Sequence, residues 1–446
     1  MRLLWVFFAA CAVTFAAGVW DENQTKAHQS GEFLRFGFYK LDGAVKGNTL
    51  LVVGGVHGDE PGGYFAPALL ATHYRIKKGS LWIVPNLNFE SIIRNRRGVF
   101  GDMNRKFAAL KESDTDYETV QKIKEIIDDP QVKMVLNLHD GHGFYRERWE
   151  NTIFNPKAWG QTLVIDQKTL ELDSVPFGNM DELATKITEN LNKRLKDDLH
   201  YFSVRNTETR NKDEAMRLSL TYYAVTHLKP AFGQETSKNI NALAVKVEYH
   251  LRLIEEMMKL MDIEYERDFE LNFKGIQKAL NSYGKVWIND KMAFNLIDLR
   301  NVLRFIPLDK NKEDRFIFNH PLGAVKRRED RVDIYIGNQR VSSLYPQYFD
   351  QNCSINLVQV DVDGRTRRLN MGMTFAFADY FKVIPREDLR INVIGFSAEG
   401  VKNESGIKIA KKDLETRFSE DVGGKMYRVE FYRNEDFCGT MNARIK

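Results

Sequence analysis

Leu50-Leu51-Val52-Val53 is an uncharged apolar run that ends in Gly54-Gly55-Val56-His57-Gly58-Asp59-Glu60. A run this short and this apolar reads as a buried strand. The two glycines let the backbone turn sharply and come close to an ion. His57 and Glu60 then stand three residues apart, and imidazole with carboxylate suits Zn²⁺. Half of a metal site at a strand end constrains the rest of the chain: it must bring up a third ligand, a base and a substrate clamp.

At 446 residues the chain exceeds one hydrophobic core, and two or three domains are expected. The formal charge of +4 is weak. No basic block or aromatic-interleaved stripe points to nucleic acid. Met1-Arg2 precedes an uncharged run from Leu3 to Ala17 that closes on Ala16-Ala17-Gly18. That is a signal peptide, residues 1–18, cut near its end, which sends the chain through a membrane without leaving a span in it. Beyond it, Cys353 and Cys438 remain, and they either pair in an oxidising compartment or stay as buried thiols.

Strand and helix patterns alternate up to about residue 265. Phe33–Tyr39 reads as an edge strand, and Ser80–Pro85 and Val132–Leu138 as buried strands. Pro230–Thr236 is a shorter strand that ends in an acid. Helices are expected from Pro61 to Thr72, Thr115 to Asp129, Met180 to Leu195, Asp213 to His227 and Asn239 to Met261. Asn86–Phe100 reads as an arginine-dense loop. This is an α/β domain with a mixed, largely parallel sheet flanked by helices, and such sheets place their sites beyond the carboxyl ends of strands. After residue 265, short alternating segments separated by turns predict two small β-rich domains, 266–345 and 346–446.

His139 follows the third buried strand, and Glu235 ends the fourth. A catalytic zinc takes three protein ligands and keeps one position open; His57, Glu60 and His139 meet that need. Gly55-Val56-His57-Gly58-Asp59-Glu60, Gly101-Asp102-Met103-Asn104-Arg105-Lys106-Phe107, Leu138-His139-Asp140 and Gln234-Glu235-Thr236, in this order, resemble the motifs of the zinc metallocarboxypeptidases, the carboxypeptidase A-like enzymes. The resemblance spans roughly residues 33–262. It implies that His57, Glu60 and His139 bind one zinc, that Asp102 fixes the tautomer of a liganding histidine, and that Glu235 is the general base. It also implies that Asn104 and Arg105 grip the substrate's terminal carboxylate, where a planar guanidinium meets a carboxylate bidentately. An arginine upstream would stabilise the oxyanion, with Arg97 preferred to Arg94, and Arg94 and Arg96 would add positive charge for an acidic substrate. The tyrosine that digestive members place near the substrate carboxylate has no clear counterpart, although Tyr222 and Tyr223 precede Glu235.

A signal peptide, a compact carboxypeptidase domain and two β-rich modules are similar to the periplasmic peptidoglycan DL-carboxypeptidases of helical Gram-negative bacteria. That likeness implies a muropeptide substrate, L-Ala-γ-D-Glu-meso-diaminopimelate, trimmed to a dipeptide, with an effect on cell shape. Two other readings stay open. Aspartoacylase- and desuccinylase-like zinc amidohydrolases share Gly-x-His-Gly-x-Glu and an arginine eight residues before the clamp arginine, as Arg97 stands to Arg105. A wall-binding protein with a vestigial site is the third. His142, Asp140 and Asp59 read as pocket walls or turn residues, and the basic clusters at residues 326–328 and 365–368 as solvated turns.

Overall fold

The computed structural model describes residues 34–170, 175–195 and 197–446. The expected signal peptide lies outside the described residues. No described helix is long and apolar enough to cross a membrane.

The first domain is built on one eight-stranded sheet. Its centre is β2 (Val45–Val53), flanked in parallel by β3 (Tyr74–Val84) and β4 (Val132–Gly141). Leu50 to Val53 are completely buried, which is why this strand is a continuous apolar run rather than an alternating one. Ala231–Ser237 lies parallel to β4, Thr162–Ile165 lies antiparallel beyond it, and Ser203–Asn206 closes that side. On the other edge, β1 (Tyr39–Asp42) and Glu264–Arg267 both pair antiparallel with β3. The edge strand thus begins at Tyr39, where Phe33–Tyr39 was expected to end. Helix α1 (Pro61–His73) packs on β3 and β4 and against Leu243–Leu260, which in turn carries Met180–Asn192.

Two expectations about connections are corrected. The arginine-rich loop contains a short helix, α2 (Phe89–Ile93), capped by Asn88, whose side chain accepts from Ser91 N. Asp213–His227 is not one helix. Asp213 accepts from Met216 N in the turn that leads into a short 3₁₀ segment, Met216–Leu218, and Ser219 then caps a new helix, Leu220–Thr226, by accepting from Tyr222 N. The capping serine, in extended backbone, makes a second start inside the run.

Four small sheets follow the first domain, after a helix at Phe273–Leu280. Strand Gln339–Phe349 runs across the boundary expected at residue 345. The hydrophobic core of the first domain continues through the middle module to Leu344 and takes in Tyr432 and Phe437 of the last domain, whose own core begins at Cys353. Cys353 and Cys438 are joined as a disulfide, with Cα atoms 5.0 Å apart.

Candidate metal centre

Three parallel strands deliver the site at their carboxyl ends. The turn after β2 is forced by close packing: a Cβ on Gly54 would lie 2.1 Å from the carbonyl oxygen of Gly63, and one on Gly58 2.1 Å from the backbone of Ser91. That turn presents His57 and Glu60, and β4 presents His139. The ligand atoms of these three buried residues lie within 4.8 Å of one another. His57 Nδ1 is 3.0 Å from Glu60 Oε1, and His139 Nδ1 is 2.9 Å from Glu60 Oε2 and 3.2 Å from His57 Nδ1. Both histidines therefore turn the same ring nitrogen inward.

Each outward nitrogen has a support. His57 Nε2 meets Asp102 Oδ1 at 2.8 Å. His139 Nε2 is 2.8 Å from Asn137 Nδ2, while Asn137 Oδ1 is buried without a partner. With Nδ1 as the metal donor the His139 proton sits on Nε2, and two N–H groups cannot bond each other. Turning the amide over resolves both problems, so that Nε2–H donates to Oδ1 and leaves Nδ1 bare for a cation. Burial opposes charge on His57, yet Glu60 and Asp102 raise its pKa to about 9. Glu60, although buried, is held well below the usual range by His57 and His139. The carboxylate potential that draws a proton to His57 also draws a cation. Buried N, N, O donors with both histidine tautomers fixed fit a divalent metal.

An open cleft surrounds this set. Arg97 reaches in from the loop after α2, its Nε 3.0 Å from Asp102 and its Nη1 3.3 Å from Glu60. Asn104 and Arg105 line the cleft; Leu220 N donates to Asn104 Oδ1, which leaves the amide N–H₂ free to donate. Despite its burial, Asp102 is kept strongly acidic by His57, Arg97 and Arg105. Glu235 stands beside His139 in strict register, and burial, then the Glu60 carboxylate, push its pKa well above the ordinary glutamate range.

The nine residues singled out in the sequence thus divide. His57, Glu60, His139, Glu235, Asn104, Arg105 and Arg97 line one cleft, and Asp102 braces it. Arg94 does not line it; its guanidinium faces Glu90 one helical turn back on α2. Tyr223 points away, donating to Asp128 at 2.6 Å. Asp140 is fully buried beneath the site, accepting from Gly62 N and Thr236. Asp59 pairs with Lys238 at 2.7 Å. Asn137, Trp159 and Lys238 escaped the sequence reading. Asn137 was findable, because residues two apart on a strand share a face. Trp159 and Lys238 carry no spacing signal.

A mixed sheet with this His–Glu–His set at its strand ends, and with Asn104 and Arg105 in the same cleft, has the arrangement of the metallo-carboxypeptidases. Within that class the assignment narrows. A family model described as the catalytic part of a carboxypeptidase controlling helical cell shape matches residues 19–281, and one described as the C-terminal domain of metallo-carboxypeptidase matches residues 351–446. The chain belongs to this family of cell-shape-controlling carboxypeptidases. Among solved structures it is similar to the apo cell shape determinant Csd4 of Helicobacter pylori: 34% identity, 92% of this chain and 100% of that one covered, TM-score 0.88. Tripeptide-bound Csd4 aligns at 34% identity over 92% and 100% of the two chains, with TM-score 0.87. The mDAP-bound form, described as a D,L-carboxypeptidase, aligns at 34% over 91% and 100%, with TM-score 0.87. Comparison with curated protein sequences returned no match. Family membership decides for the peptidase and against the amidohydrolase and wall-binding alternatives.

Proposed function

We propose that this enzyme is a zinc-dependent, periplasmic D,L-carboxypeptidase. It shortens uncrosslinked peptidoglycan tripeptide stems to dipeptides by releasing meso-diaminopimelate, and so tunes how much of the wall can be crosslinked. The observation that carries this reading is the Asn104–Arg105 clamp facing the His57, Glu60 and His139 donors across one cleft with Glu235. A clamp for a terminal carboxylate makes the hydrolase an exopeptidase. The tripeptide and mDAP complexes of the Helicobacter relative support the choice of substrate. The charged and then apolar N-terminal segment supports export.

His57, Glu60 and His139 would hold the zinc. When bound it acts as a Lewis acid toward the scissile carbonyl and lowers the pKa of water. Asn104 and Arg105 fix the C-terminal carboxylate, so the scissile bond lies at one register only. Arg97 offers N–H donors to the carbonyl oxygen as negative charge grows there. The Glu235 carboxylate takes a proton from the attacking water and hands it to the departing amine nitrogen. Its place beside His139 on the neighbouring strand keeps the carboxylate next to the metal donors for both transfers.

The test is mass spectrometry of purified muropeptides after incubation with enzyme and zinc, with a chelator control. Loss of the terminal residue from the tripeptide is expected, abolished by chelator. Glu235→Gln is expected to lower turnover by at least about 10²-fold with the fold and metal content intact. Near wild-type cleavage by that variant would remove Glu235 from the role of base.

A further inference from the structure

The basic cluster at residues 326–328 reads in the sequence as a solvated turn. In the structure Lys326 stands on a strand, Gly323–Arg327, of the middle module's four-stranded sheet. Lys326 is level with Asp333, Asp333 with Ser343, and Ser343 with Val302, so one rung crosses all four strands. Residues level on paired strands share a face. Two residues on from Asp333, Tyr335 brings Arg340 onto that face, and Arg304 lies 4.9 Å over the ring of Tyr345. The opposite, apolar face, with Val325, Ile334 and Leu344, joins the core of the catalytic domain.

Asp333, 1% exposed, anchors the outer face. Its Oδ2 accepts from Arg328 Nε at 3.1 Å, and its Oδ1 from Arg331 Nε at 3.0 Å and Ser343 Oγ at 2.6 Å. Arg328 keeps both Nη groups, and Arg331 its Nη2, without a partner among the described residues. Arg304, Lys326 and Arg340 form no ion pair there. The acids of the hairpin, Glu329 and Asp330, stand at its tip beyond the last strand pair. Burial, and then the charges of Arg328 and Arg94, lower the pKa of Lys326. Crowded like charges disfavour one another until an anion lies across them.

The face is continuous with the cleft. Arg94 follows α2, and Asn338 of the middle module donates to Asn95 at 3.1 Å. Arg96 is exposed, and Arg97 lines the cleft.

We propose that this sheet face is an exosite for the polymer that carries the substrate, a glycan strand whose peptide stems bear carboxylates, with Arg304, Lys326, Arg328, Arg331 and Arg340 holding neighbouring stems while one stem enters the cleft. Guanidinium forks braced at Nε and open at Nη match carboxylates, and carboxylates repeated along a chain engage several cations at once. The proposal goes beyond the reading above and rests on it only for the identity of the polymer.

The test variant neutralises the three unpaired cations, Arg304→Gln, Lys326→Gln and Arg340→Gln together, and leaves the Asp333 pairs intact. Full-length, zinc-loaded protein is pelleted with purified insoluble wall, with wall whose carboxyl groups have been amidated, and with phosphatidylglycerol vesicles. In parallel, kcat/KM is measured on soluble muramyl-tripeptide and on intact wall. The wild type is expected to pellet with native wall more than with amidated wall. The variant is expected to bind native wall about 10-fold more weakly, with the difference fading as salt rises. On intact wall kcat/KM is expected to fall by a similar factor, through KM, while on the soluble tripeptide it stays unchanged. Equal pelleting of variant and wild type overturns the exosite, as do equal pelleting with native and amidated wall and a parallel fall on both substrates. Pelleting with vesicles in preference to wall, lost in the variant, makes the face a lipid-headgroup site and overturns the polymer. If the wild type cleaves neither substrate, the functional reading has failed, and the pelleting comparison alone then decides the exosite.

Discussion

Both metal-facing histidines expose Nδ1, so the metal's affinity depends on what each Nε2 touches. Asp102 and Asn137 perform that service with different chemistry, one charged and one neutral. Asn137→Leu keeps the volume and removes the acceptor for His139. Metal affinity is expected to fall about 10- to 100-fold, measured by competition with a chelator, with little change in the fold. At this scale the meeting of His57, Glu60 and His139 in one cleft with Glu235 was legible in the sequence, because few side chains bind a metal and each of these follows or ends an apolar run. Arg94 instead pairs with Glu90, four residues earlier on α2, a partnership that exists only because this arginine-rich stretch is helical. Trp159 was not legible, since chain folding alone brings its loop to the cleft.

The segment from Phe100 to Phe107 carries Asp102, Asn104 and Arg105 but has little regular structure beyond one 3₁₀ turn, Met103–Arg105. Lys106 holds it. Its Nζ donates to Phe100 O, to Asp114 and to Asp116, within 2.9 Å in each case. Those carboxylates raise the lysine's pKa although burial opposes them. Lys106→Met leaves the chemistry untouched but loosens the clamp. Steady-state kinetics are expected to show KM rising about 10-fold, with a smaller change in kcat. Fixed elements such as α3 (Tyr117–Asp128) were readable from their apolar spacing. The break at Ser219 was not, because apolar periodicity runs on through a residue whose capping role depends on its extended backbone.

The middle module belongs physically to the catalytic domain. Asn338 donates to Asn95 in the arginine loop, and Pro321 O accepts from Asn86 beside the metal turn. Next to that contact, His320 is buried and its pKa is pushed down to about 3 by desolvation. An unfolded chain protonates this histidine below about pH 6.5 while the folded one keeps it neutral. Folding stability is thus expected to fall as pH drops from 6.5, by up to about 1.4 kcal/mol per pH unit from this group. Denaturant unfolding at pH 7.5 and 5.5 measures it, and His320→Phe should lose that increment. At the far end, the disulfide closes a loop of 85 residues around the second core. Cys353→Ser with Cys438→Ser is expected to cost about 4 kcal/mol in the C-terminal domain, read as a lowered melting transition. The change from helix-rich to strand-rich sequence near residue 265 was legible. The shared core across it was not, because composition does not say which faces meet.

His139 and Glu235 occupy one rung of a parallel ladder. Their spacing is then a property of the main chain, set by the roughly 4.8 Å repeat of hydrogen-bonded strands. Mutation can remodel walls such as Trp159 and Val164 without touching that rung. It cannot easily move Glu235 relative to His139 without unzipping the middle of the sheet. The cleft walls are open to evolutionary drift, and the spacing of these two side chains is not.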